Sequence, residues 1–243
     1  MDSTERFSNR VENYRLYRPG YPSRLIEFLR PFAGSAVADV GSGTGIFSRQ
    51  LLDLGVEVYA VEPNLGMRQI AERDLSSDPR FHSLDQTASE TGLADASVNL
   101  VTCAQSFHWF ANQTAISEFR RILRAPKRAA LIWNERRVDS SALHREYENL
   151  MSRYGRDSEE VAVRPNIAEL VGEERVTLTT FENPQTIDLQ TFIGRAVSSS
   201  YSPAEGDPRH DEFVAELNEI FERYQTQNRV SFDYETRLFV ADL

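Results

Sequence analysis

Residues 37–52 read VADVGSGTGIFSRQLL, and the organisation of the whole chain follows from them. The apolar run AVADV at 36–40 carries a carboxylate, Asp39; glycines follow at Gly41, Gly43 and Gly45; then Phe47, Leu51 and Leu54 fall on one helical stripe. That is a buried strand, a tight turn and a helix. Glycines in such a turn let backbone amides approach a ligand with no Cβ in the way. In an open parallel sheet the turn faces the crevice beyond the carboxyl ends of the strands, where ligands collect. Spacing narrows the ligand. A dinucleotide site wants G-x-G-x-x-G, but Ile46 stands where the third glycine belongs, and the Lys-Ser/Thr pair of a phosphate-cradling loop does not follow.

Outward from this stretch the pattern repeats. Leu25, Phe28, Leu29 and Phe32 form a helical stripe after the turn RPGYP at 18–22. VEVYAVE at 56–62 predicts a strand, 67–73 a helix, 81–84 a short strand and NLVTCA at 99–104 a buried strand. A helix through Ile116, Phe119, Ile122 and Leu123 leads to the strand AALIWN at 129–134. Short apolar runs alternating with amphipathic helices predict parallel βαβ units. Beyond Asn134 the pattern changes: 140–154 is helical, a charged stretch follows at 156–160, and 167–171 is a short helix. VTLTTF at 176–181 and VSFDYETRLFV at 230–240 alternate with period two, as half-exposed antiparallel strands do. Between them Phe213, Val214, Leu217, Ile220, Phe221 and Tyr224 make a helical stripe. The expected fold is α/β: a doubly wound, Rossmann-like seven-stranded sheet, mostly parallel with a C-terminal antiparallel strand and a helical insertion after the fifth strand. It forms one domain over 1–243, with a cofactor-binding core at 1–135 and an insertion or lid plus closing strands at 136–243.

Composition excludes several function classes. The 243 residues, 40% apolar, support one sizeable core without a disulfide or metal staple. The 27 Lys and Arg against 37 Asp and Glu leave a net charge of −10, the wrong sign for a protein that neutralises nucleic-acid phosphates. Cys103 is the sole cysteine, so neither an intrachain disulfide nor a thiolate cluster can form, and no metal site is expected. The polar opening MDSTERFSNR and the lack of any run near ~18 apolar residues predict no membrane partner and a cytoplasmic monomer or homodimer.

The glycine stretch with Asp39 ahead of it resembles the G-x-G-x-G motif of class I S-adenosylmethionine-dependent methyltransferases. Glu62, in VYAVEPN at 58–64, supplies the second element: a carboxylate able to accept both ribose hydroxyls. The likeness extends to YRLYRPGYP at 14–22, QSFHWF at 105–110, WNERR at 133–137, GRAVSSSY at 194–201 and YETRL at 234–238. Over nearly the whole chain these are similar to the methyltransferase type 11-like subgroup related to trans-aconitate methyltransferases. The resemblance implies S-adenosylmethionine as cofactor, with Tyr14 and Arg18 of the N-terminal segment folding over its methionine end and Tyr17 beside them toward the acceptor. It further implies Met67 under adenine and backbone contacts at Thr87 and Ala88. Where relatives often carry an acidic residue, this chain has Ser89, leaving Asp85 or Glu90 as substitutes.

A sulfonium methyl is already electrophilic, so the protein's tasks are alignment and exclusion of water. A carboxylate acceptor is ionised near neutral pH and needs no base, whereas a phenol or alcohol does. His108 is the candidate general base or substrate hydrogen-bond donor, or alternatively a histidine satisfied by neighbouring backbone. Gln105 is placed for the cofactor's methionine group and Trp109 for a pocket wall. Arg136, Arg195 and Tyr201 are candidates for the acceptor, since a guanidinium fork matches a carboxylate. The expected function is methyl transfer to a small-molecule acceptor, a carboxylate or hydroxyl. The alternatives are a non-methylating cyclisation or elimination on the same fold with the cofactor bound, and a non-catalytic binding module.

Overall fold

The computed structural model describes residues 15–155, 167–199, 202, 203 and 205–243. An interior strand of its sheet, β1 (Ala36–Val40), is buried at every residue, as a parallel strand covered on both faces must be. Chain order runs α1 (Ser23–Ala33), β1, α2 (Ile46–Leu52), β2 (Glu57–Val61), α3 (Leu65–Leu75), β3 (Phe81–Leu84), β4 (Val98–Ala104) and α4 (Gln113–Ile122). Then come β5 (Leu123–Arg136), α5 (Ala142–Tyr154), α6 (Ile167–Val171), β6 (Val176–Ile187), α7 (Leu189–Val197), α8 (His210–Tyr224) and β7 (Val230–Asp242). The seven strands lie in the order β3-β2-β1-β4-β5-β7-β6. β1 pairs in parallel with both β2 and β4, while β7 runs antiparallel to both β5 and β6. This is the doubly wound mixed sheet that the alternation predicts. Strand order reverses between β1 and β4, so the crevice for a ligand opens at their carboxyl ends.

Two boundaries differ from expectation. Leu123 continues the apolar stripe of α4 yet is extended, φ −80° and ψ 135°, and opens β5 by pairing with Val98. β6 runs past Phe181 to Ile187 and includes Pro184, opposite Asp233. Proline is tolerated there because β6 is an edge strand.

One face of the sheet packs on α1, α2 and α3 through Leu25, Leu29, Phe47, Leu51 and Leu75; the other packs on α4 and α6 through Ile116, Phe119 and Ile167. Phe28 of the α1 stripe is partly exposed and meets Phe181 edge-on at 5.7 Å. A third apolar cluster joins α5, α7, α8 and the start of β7 around an aromatic knot: Tyr147 lies 5.2 Å from Phe192 and 4.9 Å from Phe232 between ring centres. This knot sets the helical insertion beside the carboxyl end of β5. The charged stretch at 156–160 lies outside the described residues. Among the described residues, no helix is long and apolar enough to cross a membrane.

Candidate active site

Asp39 stands opposite Thr102 in the β1–β4 register, and Thr102 Oγ1 donates to its Oδ1 at 2.9 Å. Ser48 on α2 donates Oγ–H to Oδ2 at 2.6 Å. One carboxylate thus ties two strands to the helix after the glycine turn. Burial pushes its pKa up to about 6; the Ser48 and Thr102 hydroxyls pull it back, and the charge of Glu62 adds to the rise. The folded protein therefore holds a proton on Asp39 that the unfolded chain releases near the ordinary value of 3.8. Stability from this group is present below the unfolded value and lost as pH rises toward the folded one. Relative to Asp39→Asn, the wild type is expected to lose about 2–3 kcal/mol of unfolding free energy between about pH 4 and about pH 8. Urea melts of both proteins at the two pH values measure it, and a pH-independent difference would show that Asp39 does not titrate there.

Gly41, Gly43 and Gly45 all have positive φ, but their surroundings differ. A Cβ on Gly41 would lie 2.5 Å from the Ser106 Cβ, and one on Gly45 would lie 2.7 Å from Leu75 Cδ1 of α3. Those two glycines serve close packing. A Cβ on Gly43 would meet no protein atom within 4 Å, so this glycine fronts open space on the cavity wall. Its N–H donates to Glu62 Oε2 at 2.9 Å, while Asn64 N–H donates to Oε1 at 2.8 Å. Burial raises the pKa of Glu62, opposed by those two amides and by Arg68. Asn64 also caps α3, accepting from Met67 N–H at 3.0 Å. The turn at Thr87 and Ala88 is held from below by Glu118, which accepts from Thr91 N–H at 2.9 Å and Thr91 Oγ1 at 2.6 Å. The Arg121 guanidinium keeps the Glu118 carboxyl ionised, down to about 2.

Beyond β4, Gln105 takes a left-handed backbone, φ 58°, which costs a non-glycine residue on the order of 1 kcal/mol. Its Nε2 donates to Asn134 O at 3.1 Å. The chain before α1 is strapped down at several points. Arg15 pairs with Asp74 of α3 at 2.5 Å, Gln50 Nε2 donates to Tyr21 O at 2.8 Å, and Asn134 and Asn183 amides donate to Gly20 O at 3.2 and 3.0 Å. On α7, Arg195 Nε donates to Tyr17 O at 2.9 Å, Gln190 Nε2 to Tyr17 Oη at 3.0 Å, and Arg18 Nη2 to Ser198 O at 3.2 Å.

These parts enclose one cavity of about 700 Å³, within the usual range for a small-molecule site. Of the residues expected from sequence, Arg18, Asp39, Gly41, Gly43, Glu62, Met67, Thr87, Ala88, Gln105, Trp109, Arg136 and Arg195 line it together. Three do not. Gly45 is packed against α3, Tyr17 lies with its ring on Gly194, and His108 lies tilted against Trp109, 4.7 Å between ring centres, leaving Trp109 and Phe110 to form the wall. Tyr14 and Tyr201 lie outside the described residues. Asn134, Tyr147, Glu148 and Tyr234 also line the cavity, unforeseen in those roles. Their signal was position alone: Asn134 near the carboxyl end of β5, Tyr147 and Glu148 on α5, and Tyr234 on β7 opposite Arg136.

An adenosyl cofactor with an amino-acid tail fits this wall. Ser42 Oγ and Thr44 Oγ1 of the glycine turn are buried with no hydrogen-bond partner among the described residues, Gly43 leaves its side open, and Glu62 brings a carboxylate to the end of β2. Sheet order, reversed last strand and glycine turn at the switch point define a class I S-adenosylmethionine-dependent methyltransferase. A family model described as a methyltransferase domain matches residues 38–130. The chain is 31% identical over 238 residues to a methyltransferase of Mycobacterium bovis described as uncharacterized, spanning 97% of this chain and 94% of that one. A methyltransferase-like protein of Schizosaccharomyces pombe is 27% identical over 249 residues, with the same coverage, 97% and 94%. The solved structure of a protein described as a type II methyltransferase from Anaeromyxobacter dehalogenans shares the fold, with TM-score 0.67, 22% identity, and coverage of 93% and 97%. The chain belongs to this methyltransferase family, and S-adenosylmethionine is its cofactor.

Proposed function

We propose that the protein methylates a small-molecule acceptor at a carboxylate or hydroxyl oxygen. The observation that carries this reading is the continuity of the cavity: the glycine turn and Glu62 line one part, and Trp109, Arg136, Tyr147, Arg195 and Tyr234 line another. Bound S-adenosylmethionine supplies an electrophilic methyl on sulfur. Glu62 accepts the ribose hydroxyls with the lone pairs its two amide donors leave. Met67 packs against adenine, the backbone at Thr87 and Ala88 meets its edge, and Arg18 and Gln105 hold the methionine end. The strap over residues 15–21 keeps water out, which leaves alignment as the main contribution to rate. The acceptor oxygen would take that methyl, with S-adenosylhomocysteine as the leaving group. A carboxylate gives up no proton in that step and needs no base. It is the better match to a wall that Trp109 and Phe110 form in place of His108.

The test is incubation with S-adenosylmethionine and a panel of small carboxylic acids and phenols. S-adenosylhomocysteine is expected only when an acceptor is present, mole for mole with methylated product by mass spectrometry. An acceptor rearranged or dehydrated without S-adenosylhomocysteine would replace this reading with cyclisation or elimination.

A further inference from the structure

The charged groups in the cavity wall differ in how they are neutralised. Arg136 is bound by both oxygens of Glu148 and lies over Tyr147. Glu135 pairs with Arg237 at 3.0 Å. Glu62 and Asp39 are satisfied by backbone amides and hydroxyls. Arg195 pairs with no carboxylate among the described residues. Only 8% of it is exposed, and its partners among the described residues are all neutral: the Tyr17 carbonyl, Gln185 Oε1, and the Tyr234 ring 5.4 Å below. Its Nη1 has no partner among the described residues. A buried guanidinium without a counter-charge is costly, by several kcal/mol when a buried pair is broken.

The group is also fixed in place. Gln185, which accepts from Arg195 Nη2, donates to Asn183 Oδ1 at 3.3 Å, and Asn183 in turn donates to Asn134 Oδ1 at 3.3 Å and Gly20 O at 3.0 Å. Asn134 receives the Gln105 amide, so one relay of polar groups runs from the cofactor side of the cavity to Arg195. A surface arginine has no such bracing. A relay of this kind holds a cation that lacks its anion.

We infer that Arg195 is the anchor for an oxyanion on the acceptor, a carboxylate or a phosphate carried on an apolar body that packs on Tyr234, Tyr147 and Trp109, and that Gln185 is its positioning residue. The inference rests on reading this side of the cavity as the acceptor chamber. It separates Arg195 from Arg136, which already has its carboxylate in Glu148. The ligand brings the counter-charge, and neutral isosteres are rejected because they leave the guanidinium unpaired.

Calorimetry with S-adenosylhomocysteine bound tests it, using benzoate, phenyl phosphate and the neutral isostere benzamide as probes. Benzoate or phenyl phosphate should bind in the millimolar range or tighter, and benzamide roughly 10- to 100-fold more weakly; the better of the two anions names the source of the oxyanion. In Gln185→Glu, a change of one atom that hands Arg195 a counter-charge from inside the protein, the preference for the anion should vanish with S-adenosylhomocysteine affinity unchanged. Arg195→Gln should abolish the preference as well, here with weaker S-adenosylhomocysteine binding because the bond from Nε to Tyr17 is lost. Equal binding of benzamide and benzoate, no binding of either anion, or an anion preference that survives Gln185→Glu would overturn the inference. Failure of S-adenosylhomocysteine itself to bind the wild type would instead strike the proposed function beneath it.

Discussion

Glu62→Ala is expected to weaken S-adenosylhomocysteine binding by roughly 10²- to 10⁴-fold. Two hydrogen bonds from ribose hydroxyls to a carboxylate are each worth about 1.5–3 kcal/mol, and both go with the side chain. A second loss compounds the first, because the same carboxylate accepts from Gly43 and Asn64 N–H and so holds the glycine turn against the end of β2. Folding should survive. Burial already penalises the charge on Glu62, so its removal relieves that penalty while leaving two amides without an acceptor. Glu62→Gln separates the contributions: it keeps one acceptor oxygen, loses the charge, and should fall between alanine and wild type. Isothermal titration on all three proteins measures the series. Alanine binding within about threefold of wild type would remove Glu62 from the cofactor site and, with it, the assignment of the β2 end as the sugar clasp.

Local grammar explains which features were legible in the sequence. β1 through α4 are built from contiguous segments, short apolar strands alternating with helices whose buried face repeats every 3.6 residues, and the glycine turn lies within one such unit. Leu123 misleads because an apolar residue one step past Ile122 fits the helical stripe equally well, and only pairing with Val98 across the sheet makes it extended. Pro184 hides the second half of β6 because the sequence does not say that the strand is an edge. The cavity residues Gly41, Glu62, Thr87 and Gln105 were readable since each follows a strand end. The acceptor half was not, because its polar contacts join residues far apart in sequence: Asn183 to Gly20, Gln185 to Arg195, Arg136 to Glu148. His108 shows the limit from the other side. Chemistry singles out a histidine near neutral pH, but only the fold shows that its neighbours Trp109 and Phe110 form the wall.

Gly194→Ala should reduce cofactor affinity roughly 10- to 100-fold, although the substitution ordinarily favours a helix by about 1 kcal/mol. The position lies within α7, where a Cβ would stand 2.2 Å from both Cγ and Cδ2 of Tyr17 and 2.6 Å from its Cδ1. Cγ is the root of the ring, so spinning the ring cannot clear it, and the segment carrying Tyr17 must lift. Lifting breaks the bonds from Arg195 Nε and Gln190 Nε2 to Tyr17 and strains that from Arg18 to Ser198. Arg18, Pro19 and Tyr21 of that segment line the cavity, so the cofactor loses its cover while the helix core around Phe192 and Ala196 stays intact. The expected signature is therefore split: thermal unfolding near wild type, weaker S-adenosylhomocysteine binding, and faster tryptic cleavage after Arg15. The double variant Tyr17→Ala with Gly194→Ala makes room for the new methyl. It should bind no worse than Tyr17→Ala alone, a non-additivity that direct contact between the two residues requires. Wild-type affinity and wild-type proteolysis in Gly194→Ala would mean that the strap does not close on α7, and that water is excluded from the methyl by some other part of the chain.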